Sequence, residues 1–233
     1  MLEALGFLTV LGRPAPPTPR SLPWFPVVGA AIGAAVGSVW WLAVQAFPAL
    51  LAAALAVTAD LAITGLLHAD GLADAADGLL PHADRARRLE IMRSPGVGAF
   101  GAAALIVVLV TRTAGLAARP ADIALLAGLW CASRTLAAAA PAWLPYARED
   151  GLASPFLTRP ASRLLALAVL PATALTVLGV GWPGVAVIAA ALVAGASVLA
   201  IGHHRVGGFT GDVLGAAILV AETAGLVVAG ARW

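Results

Sequence analysis

Apolar residues in this chain fall in long unbroken blocks rather than in stripes. Seven windows of mostly apolar residues stand out, at about 26–47, 49–68, 98–118, 122–141, 164–182, 184–202 and 213–231. Each approaches the roughly 20 residues that cross a bilayer as a helix. Between them stand Pro48, the charged stretch Asp70–Pro95, Arg119-Pro120, the stretch Pro145–Arg163, the turn Gly181-Trp182-Pro183-Gly184, and His203–Asp212. Each is a helix breaker, a charge cluster or a glycine-rich loop. The pattern predicts an all-α fold, a polytopic integral membrane bundle of about seven transmembrane helices forming one domain over residues 1–233. The block Leu2–Leu11 is too short to span, carries Glu3, and reads as an interfacial N-terminal helix beneath the bundle. It lacks the basic start and small-residue cleavage site of a signal peptide. Gly29-x3-Gly33-x3-Gly37 in the first window predicts close helix packing.

Composition agrees with the pattern. Of the 233 residues 61% are hydrophobic and only 11% charged, and a soluble domain that apolar would expose large sticky patches. All 14 basic residues are arginine, scattered singly or in short groups, so nucleic-acid binding is not expected. The lone Cys131 excludes an intramolecular disulfide and lies in an apolar run, as a small core residue does.

Arginine also supplies an orientation. With the N-terminal segment inside, seven spans place Arg13, Arg20, Arg85, Arg87, Arg88, Arg93, Arg148, Arg159, Arg163 and Arg205 on the inner side. Only Arg119 and Arg232 fall outside, while Arg112 and Arg134 lie within spans. That bias predicts a protein of the bacterial cytoplasmic (inner) membrane with its active face toward the cytoplasm. The long polar loops 68–96, 145–163 and 203–212 form that face. The oligomeric state is open, a homo-oligomer included.

The most informative stretch is His68-x-Asp70-Gly71-Leu72-Ala73-Asp74-x-x-Asp77-Gly78. At 100° per residue, Asp70, Asp74 and Asp77 share an arc of about 60° over roughly 10 Å of rise. No basic residue lies between them to relieve the repulsion. Three stacked carboxylates at a membrane boundary are the arrangement a multivalent cation neutralises, and all-oxygen donors favour Mg²⁺ or Mn²⁺ over Zn²⁺. Gly71 and Gly78 on the flank of this face would admit a bulky substrate. His68 reads either as an orienting or proton-shuttling group or as a plain interfacial histidine. Asp60, deep in the second span, is expected to pair with Arg112 or Arg134.

Downstream, Arg85-Ala86-Arg87-Arg88, Glu90 and Arg93 read equally as a solvated face or as a grip on phosphate oxygens, with Arg93 the foremost candidate. Gly207-Gly208-Phe209-Thr210-Gly211-Asp212 opens the last span and reads either as an N-cap with a flexible loop or, since a glycine-rich turn at a helix N-terminus is a ready anion site, as a substrate contact. The third loop adds Tyr146-Ala147-Arg148-Glu149-Asp150-Gly151.

Taken together these motifs resemble the cobalamin synthase family, the adenosylcobinamide-GDP ribazoletransferases. The resemblance runs from Phe7-Leu8-Thr9 through the His68–Gly78 motif, Leu89-Glu90-Ile91-Met92-Arg93-Ser94-x3-Gly98-x2-Gly101, Ser133-Arg134, Tyr146-Ala147-Arg148-x2-Gly151, Gly207-Gly208-x-Thr210-Gly211-Asp212 and Glu222. It covers nearly the whole chain. Two departures are visible: Leu66 stands where the family often has the second of two glycines, and Leu219 where it commonly has a glutamate, leaving Glu222 to serve instead. The resemblance implies transfer of α-ribazole, or its 5′-phosphate, onto adenosylcobinamide-GDP with release of GMP, and Mg²⁺ as cofactor. It implies Asp70, Asp74 and Asp77 as metal ligands, with Asp77, His68 and Asp212 as catalytic groups. Arg93, Glu90, Arg134, Arg148, Gly208, Thr210, Gly211 and Glu222 would contact substrate.

Two other readings fit less well. A CDP-alcohol phosphotransferase of phospholipid synthesis should carry an Ala-Arg pair where Ala73 is followed by Asp74. A transporter should carry an internal repeat and mid-membrane charges on broken helices, whereas only Asp60, Arg112 and Arg134 lie inside the predicted spans.

Overall fold

The structure is a computed structural model that describes residues 1–12, 18–148, 151 and 163–232. Ten α-helices account for most of the described chain. α1 (Leu2–Leu8) is followed by a short 3-10 turn and α2 (Phe25–Ala43), then α3 (Ala49–Thr64), α4 (Leu67–Leu79) and α5 (Arg85–Ile91). The remainder are α6 (Ala99–Ala117), α7 (Ile123–Ala139), α8 (Val169–Val180), α9 (Pro183–Val206) and α10 (Gly211–Ala229).

The protein is an integral membrane bundle. Five of its helices, α2, α6, α7, α9 and α10, are by themselves long and apolar enough to cross a bilayer. The other two of the seven expected spans are not long enough alone, so the described helices give five spans, or six if α3 and α4 together make one. α3 reaches the required length only together with α4, from which it is bent by 90°. α8 is the end of a shorter apolar helix, Leu165–Val180, whose first residues are 3-10. Pro171 supplies the reason, since its ring collides with the carbonyl four residues back and denies the α-helix an N–H. The surface facing lipid is apolar: Ile106, Val107 and Val110 of α6 are each more than 60% exposed. Exposed Trp24 and Trp143 at one end of the bundle, and Trp41 and Trp182 at the other, sit where indole rings anchor at the membrane interfaces.

Helix ends follow local chemistry. Asp84, Asp122 and Thr210 accept backbone N–H bonds at the starts of α5, α7 and α10. Small residues let the spans touch, as the first window suggested. A Cβ on Gly29 would stand 2.5 Å from the Trp130 carbonyl oxygen, and one on Gly37 would stand 2.9 Å from the Ile123 Cα.

The decisive break lies between α3 and α4. Gly65 (φ 58°) and Leu66 (φ 63°) are both left-handed, and two such residues in succession turn the chain through the observed right angle. With α3 along the membrane normal, α4 lies across the end of the bundle. Its first turns rest on the start of α10, where Gly71 meets Asp212 and Gly215, and its last turn reaches the start of α6 through Asp77. α1 lies at the same end, stacked on α2 through Phe7 and Phe25 (5.9 Å between ring centroids) and joined to α3 by the Val10 N–H to the Ile63 carbonyl.

Candidate active site

Of the three aspartates expected to form one stack, two face the open side of α4 and one does not. Asp70 is exposed and Asp74 half-buried. Asp77 is buried, and its two oxygens accept the N–H groups of Gly98 (2.6 Å) and Gly101 (2.9 Å) at the start of α6. An ionised carboxylate there satisfies two orphan donors and the positive end of the helix at once. A Cβ on Gly98 would lie 2.5 Å from Asp77 Oδ1, so the Gly98-x2-Gly101 spacing is a cradle for this side chain. The contacts of Asp77 are those of a clamp between α4 and α6.

Asp212, in the first turn of α10, completes the acidic group around Asp74. Burial, reinforced by Asp70 and then Asp212, pushes the Asp74 carboxyl up to about 6, against the opposing pull of Arg148. Arg148 Nη2 stands 2.7 Å from Asp212 Oδ2, while its buried Nε finds no partner among the described residues. Among those residues no three His, Cys, Asp or Glu side chains converge closely enough to hold a metal ion unaided. The donor set still fits Mg²⁺, which takes one or two carboxylates and completes its shell with water and substrate phosphate rather than with a protein cage. Asp70 and Asp74, one turn apart on α4, are such a pair.

The loops hold this arrangement in place. Tyr146 and Phe209 form an isolated β-bridge, with Ala147 N–H donating to the Phe209 carbonyl (2.9 Å) and Phe209 N–H to the Pro145 carbonyl (3.0 Å). Arg85 ties the same loops to α5 by donating to the carbonyls of Val206 (2.8 Å) and Ala147 (2.9 Å). Arg88 is buried on the carbonyls of Gly78 and Leu79, closing the C-terminus of α4. Arg87 and Glu90 form an exposed ion pair of 2.8 Å, which leaves Arg93 exposed toward solvent. Thus the basic run divides between framework and candidate phosphate contact. Glu149, Asp150 and Arg159 lie outside the described residues, as does Arg13.

Two cavities adjoin at Arg148. One, of about 120 Å³, has a polar wall of His68, Asp70, Arg148 and Asp212 and an apolar wall that includes Phe7, Leu8, Phe25 and Ile218. The other is an open groove of about 580 Å³ that includes Arg85, Glu90, Arg93, Tyr146 and Arg148. Gly211 lines the first, and a Cβ there would meet nothing within 4 Å. His68 Nε2 is buried and unpartnered among the described residues. Thr210 is buried as the cap of α10, its hydroxyl accepting from Val213 N–H (3.2 Å). Gly208 is pressed against the backbone of Pro145 and Ala147, so its missing side chain serves loop packing. Gly78 likewise makes room for Met92 and the Arg88 carbonyl rather than for substrate, whereas Gly71 does both, touching α10 and lining the cavity.

Glu222 and Arg134 occupy a different place. Both are fully buried in a network between helices, and neither lines either cavity. Arg112 donates to Asp60 (2.6 Å) and Glu222 (2.9 Å) and stacks over the Trp130 ring at 5.0 Å, while Trp130 Nε1 donates to Asp60 (2.9 Å). Ser133 (2.8 Å) and Arg134 hold the other Glu222 oxygen. The expected pairing of Asp60 with Arg112 is present. Glu222, however, has both oxygens taken by arginine and serine, which sets it apart from the cavity-lining carboxylates Asp70 and Asp212.

Sequence reasoning gave no role to Phe7, Leu8 and Phe25, apolar residues from the start of the chain; the Phe7-Leu8-Thr9 motif was a signal for the first two, and Phe25 had none.

The sequence model of the cobalamin-5-phosphate synthase family matches residues 1–230. An adenosylcobinamide-GDP ribazoletransferase of Chlorobaculum tepidum is 37% identical, covering 96% of this chain and 90% of its own. One from Alkalilimnicola ehrlichii is 40% identical, covering 97% and 93%. One from Vibrio cholerae is 36% identical over 86% and 83%. No solved structure matches the chain.

Proposed function

The chain belongs to the cobalamin-5-phosphate synthase family, and from that membership we propose that it joins adenosylcobinamide-GDP to α-ribazole or its 5′-phosphate. The products are adenosylcobalamin, or its phosphate, and GMP. The observation that carries this reading is the meeting of two cavities at Arg148, beside carboxylates suited to a divalent cation.

In this reaction the ribose 3′ oxygen attacks the cobinamide-side phosphorus. A new P–O bond forms there, the bridging P–O bond breaks, and GMP leaves with the electron pair. Such a transfer needs charge neutralisation and alignment more than covalent catalysis. A cation of the Mg²⁺ class held by Asp70 and Asp74 supplies part of that neutralisation. Arg93 and Arg148 grip phosphate oxygens from the groove, aided by the free N–H groups that open α10 at Gly211. His68 Nε2, unpartnered on the wall of the smaller cavity, accepts the hydroxyl proton. Asp77 holds α4 against α6 behind the reacting groups.

The active face looks into the cytoplasm of a bacterium, across its inner membrane. Among the described residues, Arg20, Arg85, Arg87, Arg88, Arg93, Arg148 and Arg205 lie at that end of the bundle and Arg119 and Arg232 at the other, which supports the orientation. GMP release by the purified protein, given both substrates and a divalent ion, tests the whole reading. Asp70→Asn is expected to lower the rate about 100-fold or more. A variant that keeps the wild-type rate at low Mg²⁺ removes Asp70 from the metal site.

A further inference from the structure

Resting on that reaction, we infer that the cavity between α1, α2, α4 and α10 is the pocket for the aromatic base of the nucleoside substrate, and that Phe7 on the N-terminal helix sets its specificity. Three observations lead there. First, the cavity is divided. Its lining pairs an apolar set, Phe7, Leu8, Phe25 and Ile218, with a polar set, His68, Asp70, Arg148 and Asp212. A nucleoside with a fused, dimethylated aromatic base has the same division, an apolar bicycle joined to a hydroxylated sugar. Neither the corrinoid amides nor the guanosine diphosphate has it.

Second, the size excludes the larger substrate. The cavity measures about 120 Å³. It is far too small for a corrinoid. Third, Phe7 and Phe25 are stacked with an interplanar angle of 22°, so an aromatic wall is already built. The sugar then meets the unpartnered His68 Nε2 at the polar side, and its reacting hydroxyl points toward Arg148, the residue shared with the basic groove. The diphosphate substrate occupies that groove. The two substrates approach from opposite sides of one arginine.

The test uses the full chain in detergent, with α-ribazole and adenosylcobinamide-GDP varied separately, and Phe7→Ala compared with Phe7→Leu. Phe7 is half-buried on an interfacial helix, so the variants retain the bundle. Phe7→Ala is expected to raise the KM for α-ribazole about ten-fold or more and leave that for adenosylcobinamide-GDP nearly unchanged, with Phe7→Leu between. Arg93→Ala should show the opposite split. Equilibrium binding of α-ribazole alone, read from the fluorescence of its base, should weaken in parallel in Phe7→Ala. An unchanged α-ribazole affinity, or a wild type that binds none, overturns the pocket assignment. A wild type that binds α-ribazole through Phe7 yet releases no GMP overturns the proposed reaction and leaves the pocket standing.

Discussion

Leu66 is held with φ at 63°, a conformation that costs a residue with a Cβ about 1–2 kcal/mol. Its side chain is 56% exposed, so little packing is lost by removing it. Leu66→Gly is expected to stabilise the protein by about 0.5–1 kcal/mol once the greater freedom of unfolded glycine is counted. Thermal unfolding in detergent checks this, and a lowered midpoint would refute it. Gly101 presents the reverse case. A methyl group there strikes Asp77 and comes within 2.8 Å of the Ala73 carbonyl oxygen, so Gly101→Ala separates α6 from α4. The expected result is a protein that still inserts but loses most of its GMP-releasing activity, and full retention of activity would show that the Asp77 clamp has no bearing on the site.

At the scale of elements, the apolar blocks announced every membrane helix, because a span must satisfy its own backbone in lipid and therefore writes itself as one continuous run. Ends and bends were less legible. The window 49–68 ran straight through Gly65-Leu66, since a left-handed leucine leaves no mark in hydropathy. The 3-10 start of the helix ending in α8 was hidden in the same way behind Pro171. Within the site, helical periodicity placed Asp70, Asp74 and Asp77 on one edge, and Asp70 and Asp74 remain accessible there. Periodicity carries no information about a partner 21 or 24 residues away, so the turn of Asp77 toward Gly98 and Gly101 could not be foreseen. The burial of Glu222 away from both cavities was hidden for a like reason, as its partners Arg112 and Ser133 lie 110 and 89 residues distant. Removing that carboxylate leaves two buried guanidinium groups short of a counterion. Glu222→Gln should cost about 3–5 kcal/mol, seen as loss of folded protein on detergent extraction. Wild-type yield and melting would deny the network its structural role.

For the whole molecule, the arginine asymmetry predicts which side of the membrane each end occupies. In a Cys131→Ser background, Arg93→Cys should react with a membrane-impermeant maleimide only in inverted vesicles, and Arg119→Cys only in right-side-out ones. The reverse labelling would turn the molecule over. The interior network bears on how such a molecule is made. Asp60 and Arg112 belong to helices that leave the ribosome early and can neutralise one another soon after. Arg134 follows in α7, where the earlier Asp60 is already bonded to Arg112 and Trp130, at an insertion penalty of about 2.5–3.5 kcal/mol. Its counterion arrives only with Glu222, on the final helix. α10 therefore completes the buried charge network, and until it docks Arg134 lacks its Glu222 partner.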